Sequence, residues 1–433
     1  MKTSILIWIL MLAGTIKAQN LYFPPLVGNT WETRTPQSLG WCTSEIDTLY
    51  RYLESRNSKA FIVLKDGRIV MERYFGTFTS DSVWYWASAG KTLTGLLIGI
   101  AQQEGHLRIS DTTSSYLGQG WTSLPPDKEQ KITIWNQLTM TTGLRDNTGD
   151  VDCTRPSCLQ YAADAGTRWA YHNAPYTLLD TVLQNASGQT LNSYFSQKVR
   201  NATGITGLFI KREFNNVFFS RPRSFARFGL LLLNKGKWNN TTVLSDTAYF
   251  RQMTTTSQPL NEAYGYLTWL NGSSTFMVPS LQFRFPGMIS PAAVPDNFNA
   301  LGRDGQILSV SPSQNLVIIR MGNTPISGNV PFTLSDTIWQ YMNRIMCNTT
   351  PVKNELLAAQ PSVKLTQHSL QLSSDVHAFQ VKLYDLQGRS IKIHETSKGK
   401  YLISDNLHPG IYLLKIKDVE GKQLTFRTIL ESE

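Results

Sequence analysis

Between Ser88 and Glu104 the chain reads Ser-Ala-Gly-Lys-Thr-Leu-Thr-Gly-Leu-Leu-Ile-Gly-Ile-Ala-Gln-Gln-Glu. The stretch has the pattern of one long helix, and Gly105 supplies the residue that ends it in a left-handed conformation. Leu93, Leu96, Leu97, Ile98, Ile100 and Ala101 are spread around the whole circumference. A helix that is apolar on every side has no face to offer to water, so other layers of structure must enclose it. That requirement also traps Lys91, near its start, in a poorly solvated place. Burial disfavours the ammonium form, which makes a neutral amine available as a proton acceptor.

The flanking sequence supplies the enclosing layers. Ser44 to Ser55 predicts a helix, and Ala60 to Gly76 predicts a hairpin that turns at Asp66-Gly67. From there to about Gly236 the pattern is mostly helical with polar loops. Tyr264 to Leu270, Gln306 to Val310 and Leu316 to Met321 read as strands, the last two joined by a turn at Ser311 to Asn315. Strands at both ends with helices between predict an α+β domain. Its antiparallel sheet is assembled from both ends of the segment, flanked by helices, with a helical lobe inserted. Residues 348–361 carry no periodicity and read as a linker. Beyond them, Val381-Lys382-Leu383-Tyr384-Asp385, Ile391-Lys392-Ile393, Tyr401-Leu402-Ile403 and Ile411 to Ile416 alternate in short runs, the mark of a small β-sandwich over 362–433.

Compartment is read from the first residues and from the cysteines. Lys2, the apolar run Ile5 to Ala13 and the small residues leading to Ala18 form the pattern of a secretory signal peptide over 1–18, with a mature domain over 19–347. The run is shorter than the roughly 20 residues a membrane span needs, and no transmembrane segment is expected in the mature chain. An even count of 4 cysteines in an exported chain favours two disulfides, Cys42–Cys347 and Cys153–Cys158, among three connectivities. No metal or cofactor is expected, because Cys and His are not clustered with ligand spacing. The formal charge of +10 raises the question of nucleic acid, but charged residues are only 17% and no basic run occurs, so none is expected as a partner.

The chemistry centres on Ser88-Ala89-Gly90-Lys91. Three residues along a helix bring two side chains to one face, and a helix start directs free N–H groups at growing negative charge. Such a tetrapeptide alone is an N-capping serine beside a solvated lysine more often than a nucleophile. Two further segments change the balance. Tyr171-His172-Asn173 gives a Y-x-N, and Leu301-Gly302-Arg303-Asp304-Gly305-Gln306 brings two glycines to the start of an apolar strand, where a substrate backbone could approach. Alternatives fit less well. Trp86-Ala87-Ser88-Ala89-Gly90 lacks the first glycine of a G-x-S-x-G elbow. His172, between Tyr171 and Asn173, is expected to point away from the serine. Asp146 to Asp152 has calcium-loop flavour with its glycine in the wrong place.

Ser88-x-x-Lys91, Tyr171-x-Asn173 and the glycine-bearing strand start, in that order, resemble the serine hydrolases of the β-lactamase and penicillin-binding-protein superfamily, class C-like. Leu138 to Leu144, Ala165 to Trp169 and Ala226 to Leu232 add to the likeness, which spans roughly residues 30–347. The resemblance implies the β-lactamase/transpeptidase-like fold and attack by Ser88 on a carbonyl to form an acyl-enzyme, with Lys91 and Tyr171 sharing the base and acid roles. A nearby ammonium would help Tyr171 ionise. Asn173 would bond Lys91 or a substrate amide, and the N–H groups of Ser88 and Gln306 would form the oxyanion hole. Where the family often has Lys-Thr-Gly, this chain has Arg303-Asp304-Gly305. Arg303 keeps a cation for a substrate carboxylate, while Asp304 argues against efficient β-lactam hydrolysis and for ester, amide or peptide substrates.

Leu383 to Arg389 and Leu407-His408-Pro409-Gly410-Ile411-Tyr412 resemble the C-terminal sorting domain of the type IX secretion system of Bacteroidota. That resemblance implies type IX machinery as a partner and a secreted or outer-membrane-surface location. Two other readings of the chain remain: a D-alanyl-D-alanine carboxypeptidase-like enzyme, and a silent penicillin-binding-like protein that holds a ligand.

Overall fold

The computed structural model describes residues 21–147, 149–324, 330–347 and, with short interruptions, 363–430. The signal peptide and the linker expected from the sequence lie outside the described residues.

The larger body is built on a six-stranded antiparallel sheet of β1 (Ser58–Lys65), β2 (Arg68–Tyr74), β3 (Trp269–Leu270), β4 (Phe298–Gly302), β5 (Gln306–Ser311) and β6 (Leu316–Gly322), in the order β2-β1-β6-β5-β4-β3. The first hairpin of the chain therefore pairs with the last strand, as the two-ended sheet expected from the sequence requires. Asp66 and Gly67 both have positive φ (52° and 80°), the geometry of a tight two-residue hairpin. Helices α1 (Ile46–Ser55), α2 (Gly90–Gln103), α3 (Asn173–Ser187), α4 (Pro222–Leu233) and α5 (Phe332–Ile345) cover the sheet and fill the lobe. Successive residues of β5 point to opposite faces. Leu308 and Val317 meet α4 so closely that a Cβ at Gly229 would come within 2.4 Å of Val317. On the other face Trp339 of α5 donates to Ser309 Oγ at 3.1 Å.

The wholly apolar segment is α2, and every residue from Gly90 to Ala101 is buried. Gly99 is needed there, because a Cβ would enter the Tyr249 ring at 2.4 Å while Tyr249 donates its hydroxyl to Gly95 O at 2.6 Å.

Three local expectations are corrected. The stretch up to Gly236 is not helical throughout: Leu208–Arg212 and Asn215–Ser220 form a hairpin that pairs with Trp84–Tyr85. Phe209 and Phe218 alternate inward there, a period of two inside a region otherwise spaced for helices. Only Trp269–Leu270 of Tyr264 to Leu270 is strand, because the chain turns at Leu267 (φ 51°), where Gly265 N–H bonds Thr268 O. Phe298–Gly302, not foreseen, is β4, a strand whose end comes against Ser88. The cysteines pair as expected, Cys42–Cys347 and Cys153–Cys158.

The C-terminal region forms two four-stranded antiparallel sheets. One runs in the order Val363–Leu365, Ser369–Leu372, Lys400–Ile403, Ile393–Ser397, and the other Ser390–Ile391, Ala378–Tyr384, Gly410–Asp418, Gln423–Leu430. Leu370, Leu383, Tyr401, Leu414 and Ile416 belong to its own hydrophobic core, the alternation read from the sequence made structural.

Candidate active site

Ser88 lies in a single turn, Ala87–Ala89, that runs directly into α2. Ala87 just before it takes φ 47°, a region that costs a residue with a Cβ about 1–3 kcal/mol and that persists where the surroundings impose it. Lys91 follows one turn later, and its Nζ stands 3.2 Å from Ser88 Oγ. The lysine is 3% exposed and forms no ion pair among the described residues. Burial pushes its pKa down to about 7, opposed by the negative charges of Asp152 and Asp180. Two aromatic faces enclose the Nζ, Tyr176 at 4.2 Å and Tyr171 at 5.1 Å from the ring centroids.

Tyr171 neighbours Ser88, an interaction that favours its ionised form but is outweighed by burial, and it stacks on Trp269 at 5.4 Å between ring centroids. Burial holds its pKa above the usual tyrosine value. The expected assistance to ionisation from Lys91 is therefore corrected: desolvation dominates, and at neutral pH the group is a phenol. Asn173 opens α3, and its Oδ1 is buried without a hydrogen-bond partner. His172 is 2% exposed, and burial lowers its pKa to about 4, so its imidazole is neutral. The charges that act on it are Asp146, Arg168 and Asp152.

The strand β4 reaches the nucleophile at Gly302. A Cβ there would lie 2.4 Å from Trp86 O and 3.1 Å from Ser88 N, so only glycine permits this approach. Gly305 is packed instead against Arg320, whose Nη1 lies 2.1 Å from where its Cβ would stand. Arg303 is largely exposed, its Nε 3.7 Å from Asp304 Oδ2, and Asp304 also accepts the Tyr85 hydroxyl at 2.6 Å. Gln306 is fully buried, and its side chain bonds both Gly322 O (2.7 Å) and Gly322 N–H (3.1 Å). The side chain of Gln306 thus ties β5 to β6 and leaves only its backbone for other work.

Ser88 thus stands beside a buried lysine and a tyrosine, against the glycine end of β4. The family model described as "Beta-lactamase" matches residues 47–339. The chain belongs to the β-lactamase family. A second model, the secretion system C-terminal sorting domain, matches residues 366–431. Among solved structures of the family's fold, a candidate β-lactamase from Bacteroides dorei has 16% identity and TM-score 0.57, covering 71% of this chain and 99% of its own. A candidate 6-aminohexanoate-dimer hydrolase from Bacillus anthracis has 17% identity and TM-score 0.58, covering 75% and 89%. An octameric penicillin-binding protein homologue from Pyrococcus abyssi has 14% identity and TM-score 0.52, covering 89% of each chain. No curated protein matches the chain.

Within this β-lactamase-family site, several residues escaped the sequence reading. Asp180 is 1% exposed, two turns along α3 from Asn173 on the same face. It accepts from Asn216 Nδ2 at 2.8 Å, its Oδ1 has no partner, and burial raises its pKa to about 7. Asp152 directly precedes the Cys153–Cys158 disulfide, in a segment anchored by Ala174 N–H to Val151 O at 3.0 Å. Arg320, fully buried, holds the Arg303-to-Gly305 turn through bonds to Asp304 O (2.9 Å) and Gly305 O (2.8 Å). A lone Arg in an apolar strand, Ile318-Ile319-Arg320-Met321, was the signal available for the last of these.

Proposed function

We propose that the protein is an exported serine hydrolase that cleaves an ester or amide bond through an acyl-enzyme on Ser88. The observation that carries this reading is the 3.2 Å contact of Ser88 with a buried Lys91 whose pKa burial has lowered to about 7. Near neutral pH a substantial share of Lys91 is then an amine able to accept the Ser88 proton.

In the proposed sequence Lys91 Nζ takes the proton as Ser88 Oγ bonds to the substrate carbonyl carbon. The oxyanion is held by backbone N–H groups of Ser88 and of the Gly302-to-Gln306 hairpin, with Gln306 the donor expected from the motif. Tyr171, a phenol beside Ser88, passes its proton to the leaving oxygen or nitrogen and recovers one from the Lys91 ammonium. Water then repeats the steps on the acyl-enzyme and releases the acid. Asn173, with an unused buried acceptor, orients Lys91 or a substrate N–H.

Arg303 offers an exposed cation to a substrate carboxylate. Asp304 brings a carboxylate beside it, which supports ester, amide or peptide substrates over β-lactams. The sorting-domain match supports delivery through type IX machinery to the cell surface or beyond.

Intact mass after incubation with a fluorophosphonate tests the proposal. One adduct on the wild type and none on a folded Ser88→Ala variant is expected. An unlabelled, folded wild type would overturn the hydrolase reading in favour of a ligand-binding protein.

A further inference from the structure

A second cleft, of about 640 Å³, lies between the N-terminal segment around residues 26–31 and the start of α4. None of its lining residues belongs to the Ser88 site. Its walls carry four guanidinium groups, Arg200, Arg221, Arg223 and Arg227, and no Asp or Glu.

The four arginines are not equally committed. Arg223 is neutralised by Glu72, with Nε and Nη2 each 2.7 Å from a carboxylate oxygen, and its Nη1 donates to Asn29 O at 2.6 Å. Arg221 meets Asp81 at 3.3 Å, where both side chains are about half exposed or more and the pair contributes little. Arg200 is exposed, with no acidic partner among the described residues.

Arg227 is the unusual one. It is 5% exposed, yet its guanidinium is met by carbonyls rather than by a carboxylate: Thr203 O at 2.9 Å and Pro25 O at 2.6 Å. It also lies 5.4 Å from the ring centroids of Trp31 and Trp238. Burial weakens its hold on the proton, opposed by Tyr22 and reinforced by the neighbouring cation Arg223. Buried cations are ordinarily paired, and this one has no carboxylate partner among the described residues. The first turn of α4 carries no acidic residue.

We propose that this cleft binds a ligand through a phosphate or sulfate group. Guanidinium forks from α4 and its N-cap, met by Arg200 from the Ser196–Arg200 turn, can grip a tetrahedral oxyanion from two sides. Leu26 and Val27, 46% and 86% exposed at the rim, offer apolar surface to an uncharged remainder of the ligand. The segment that carries them is fixed, since Leu26 O would be only 2.3 Å from a Cβ at Gly204.

The test uses the full mature chain at constant ionic strength. Calorimetric titration and thermal shift are measured with inorganic phosphate, sulfate and a chloride control. Flotation is measured with phosphatidylcholine vesicles with and without phosphatidate. Saturable binding of phosphate or sulfate is expected, weakened about tenfold or more, a loss of about 1.4 kcal/mol, in the exposed-residue variant Arg200→Gln/Arg221→Gln. Flotation only with phosphatidate identifies a lipid headgroup as the source, and binding without flotation identifies a soluble ligand. The proposal is overturned if phosphate and sulfate act no differently from chloride in both assays, or if the double variant binds as the wild type does. Because those two arginines are exposed, the variant's fold is secure; Arg227→Lys serves as a second probe, expected to weaken binding while keeping the charge.

Discussion

At the scale of single residues, the behaviour of the site follows from two buried groups with opposite tendencies. Lys91 must be neutral to accept a proton, so the rate of Ser88 acylation is expected to rise with pH through about 7. Lys91→Ala should reduce that rate by about 10²–10⁴-fold. Asp180 favours the protonated lysine, so Asp180→Asn should move the acidic limb to lower pH, read from fluorophosphonate labelling rates across a pH series. The same pair shapes stability. Between about 7 and 10.5 the unfolded chain holds a proton on Lys91 that the folded chain has released, so stability rises with pH there. Between 3.8 and about 7 the folded chain keeps a proton on Asp180 that the unfolded chain has lost, so stability falls as pH rises. The two costs coincide near neutrality. Urea unfolding of Lys91→Met/Asp180→Asn should show its largest gain over wild type near pH 7, shrinking toward acid and toward base. Lys91 was legible in the sequence because it opens a helix that is apolar on every side, although only Tyr171-x-Asn173 and the glycine-bearing strand start separated it from a solvated lysine beside an N-capping serine. Asp180 was not: in Leu178-Leu179-Asp180-Thr181-Val182 an acidic residue reads as the solvated face, and only the packing of α3 against α2 turns it inward.

At the scale of elements, the site is a meeting of a helix start and a strand end. Their contact depends on Gly302, where a Cβ would strike the backbone at Trp86 and Ser88. Gly302→Ala should therefore displace β4, lowering acylation about 10²-fold and stability by about 1–3 kcal/mol. Labelling kinetics and urea unfolding read the two separately. The sequence offered a glycine-bearing strand start for a substrate backbone to approach, but it singled out Gly305 for the site rather than Gly302. What separates them is the long-range pairing of β4 with β5 and the arginine behind Gly305, neither of which has a local signature. The Leu208-to-Ser220 hairpin was hidden for a related reason: its strands of five and six residues are too short to impose a period of two against helical surroundings.

At the scale of the whole molecule, two disulfides divide the work. Cys42–Cys347 joins residues 305 apart, and in a chain-entropy account such a closure stabilises by about 5–6 kcal/mol. Cys153–Cys158 joins residues only five apart and contributes less to stability, but it pins the chain immediately after Asp152. Cys42→Ser/Cys347→Ser should thus lower the unfolding midpoint the more, while Cys153→Ser/Cys158→Ser should lower the acylation rate the more. The division of the chain into a body and a small β-rich tail was legible because the hydrophobic period changes abruptly beyond the linker. The separate apolar core of the tail agrees with that change.

The pairing of β1 with β6 has a consequence in time. Register between Ser58 and Gly322, reinforced by Arg320 reaching back to Ser58 Oγ at 2.9 Å and Arg56 O, links parts of the chain synthesised far apart. Until residue 322 has emerged, one edge of β1 has no neighbour and the sheet cannot close. The body therefore cannot lock until nearly its whole length has been made, and its first strand waits, unpaired along that edge, through most of synthesis.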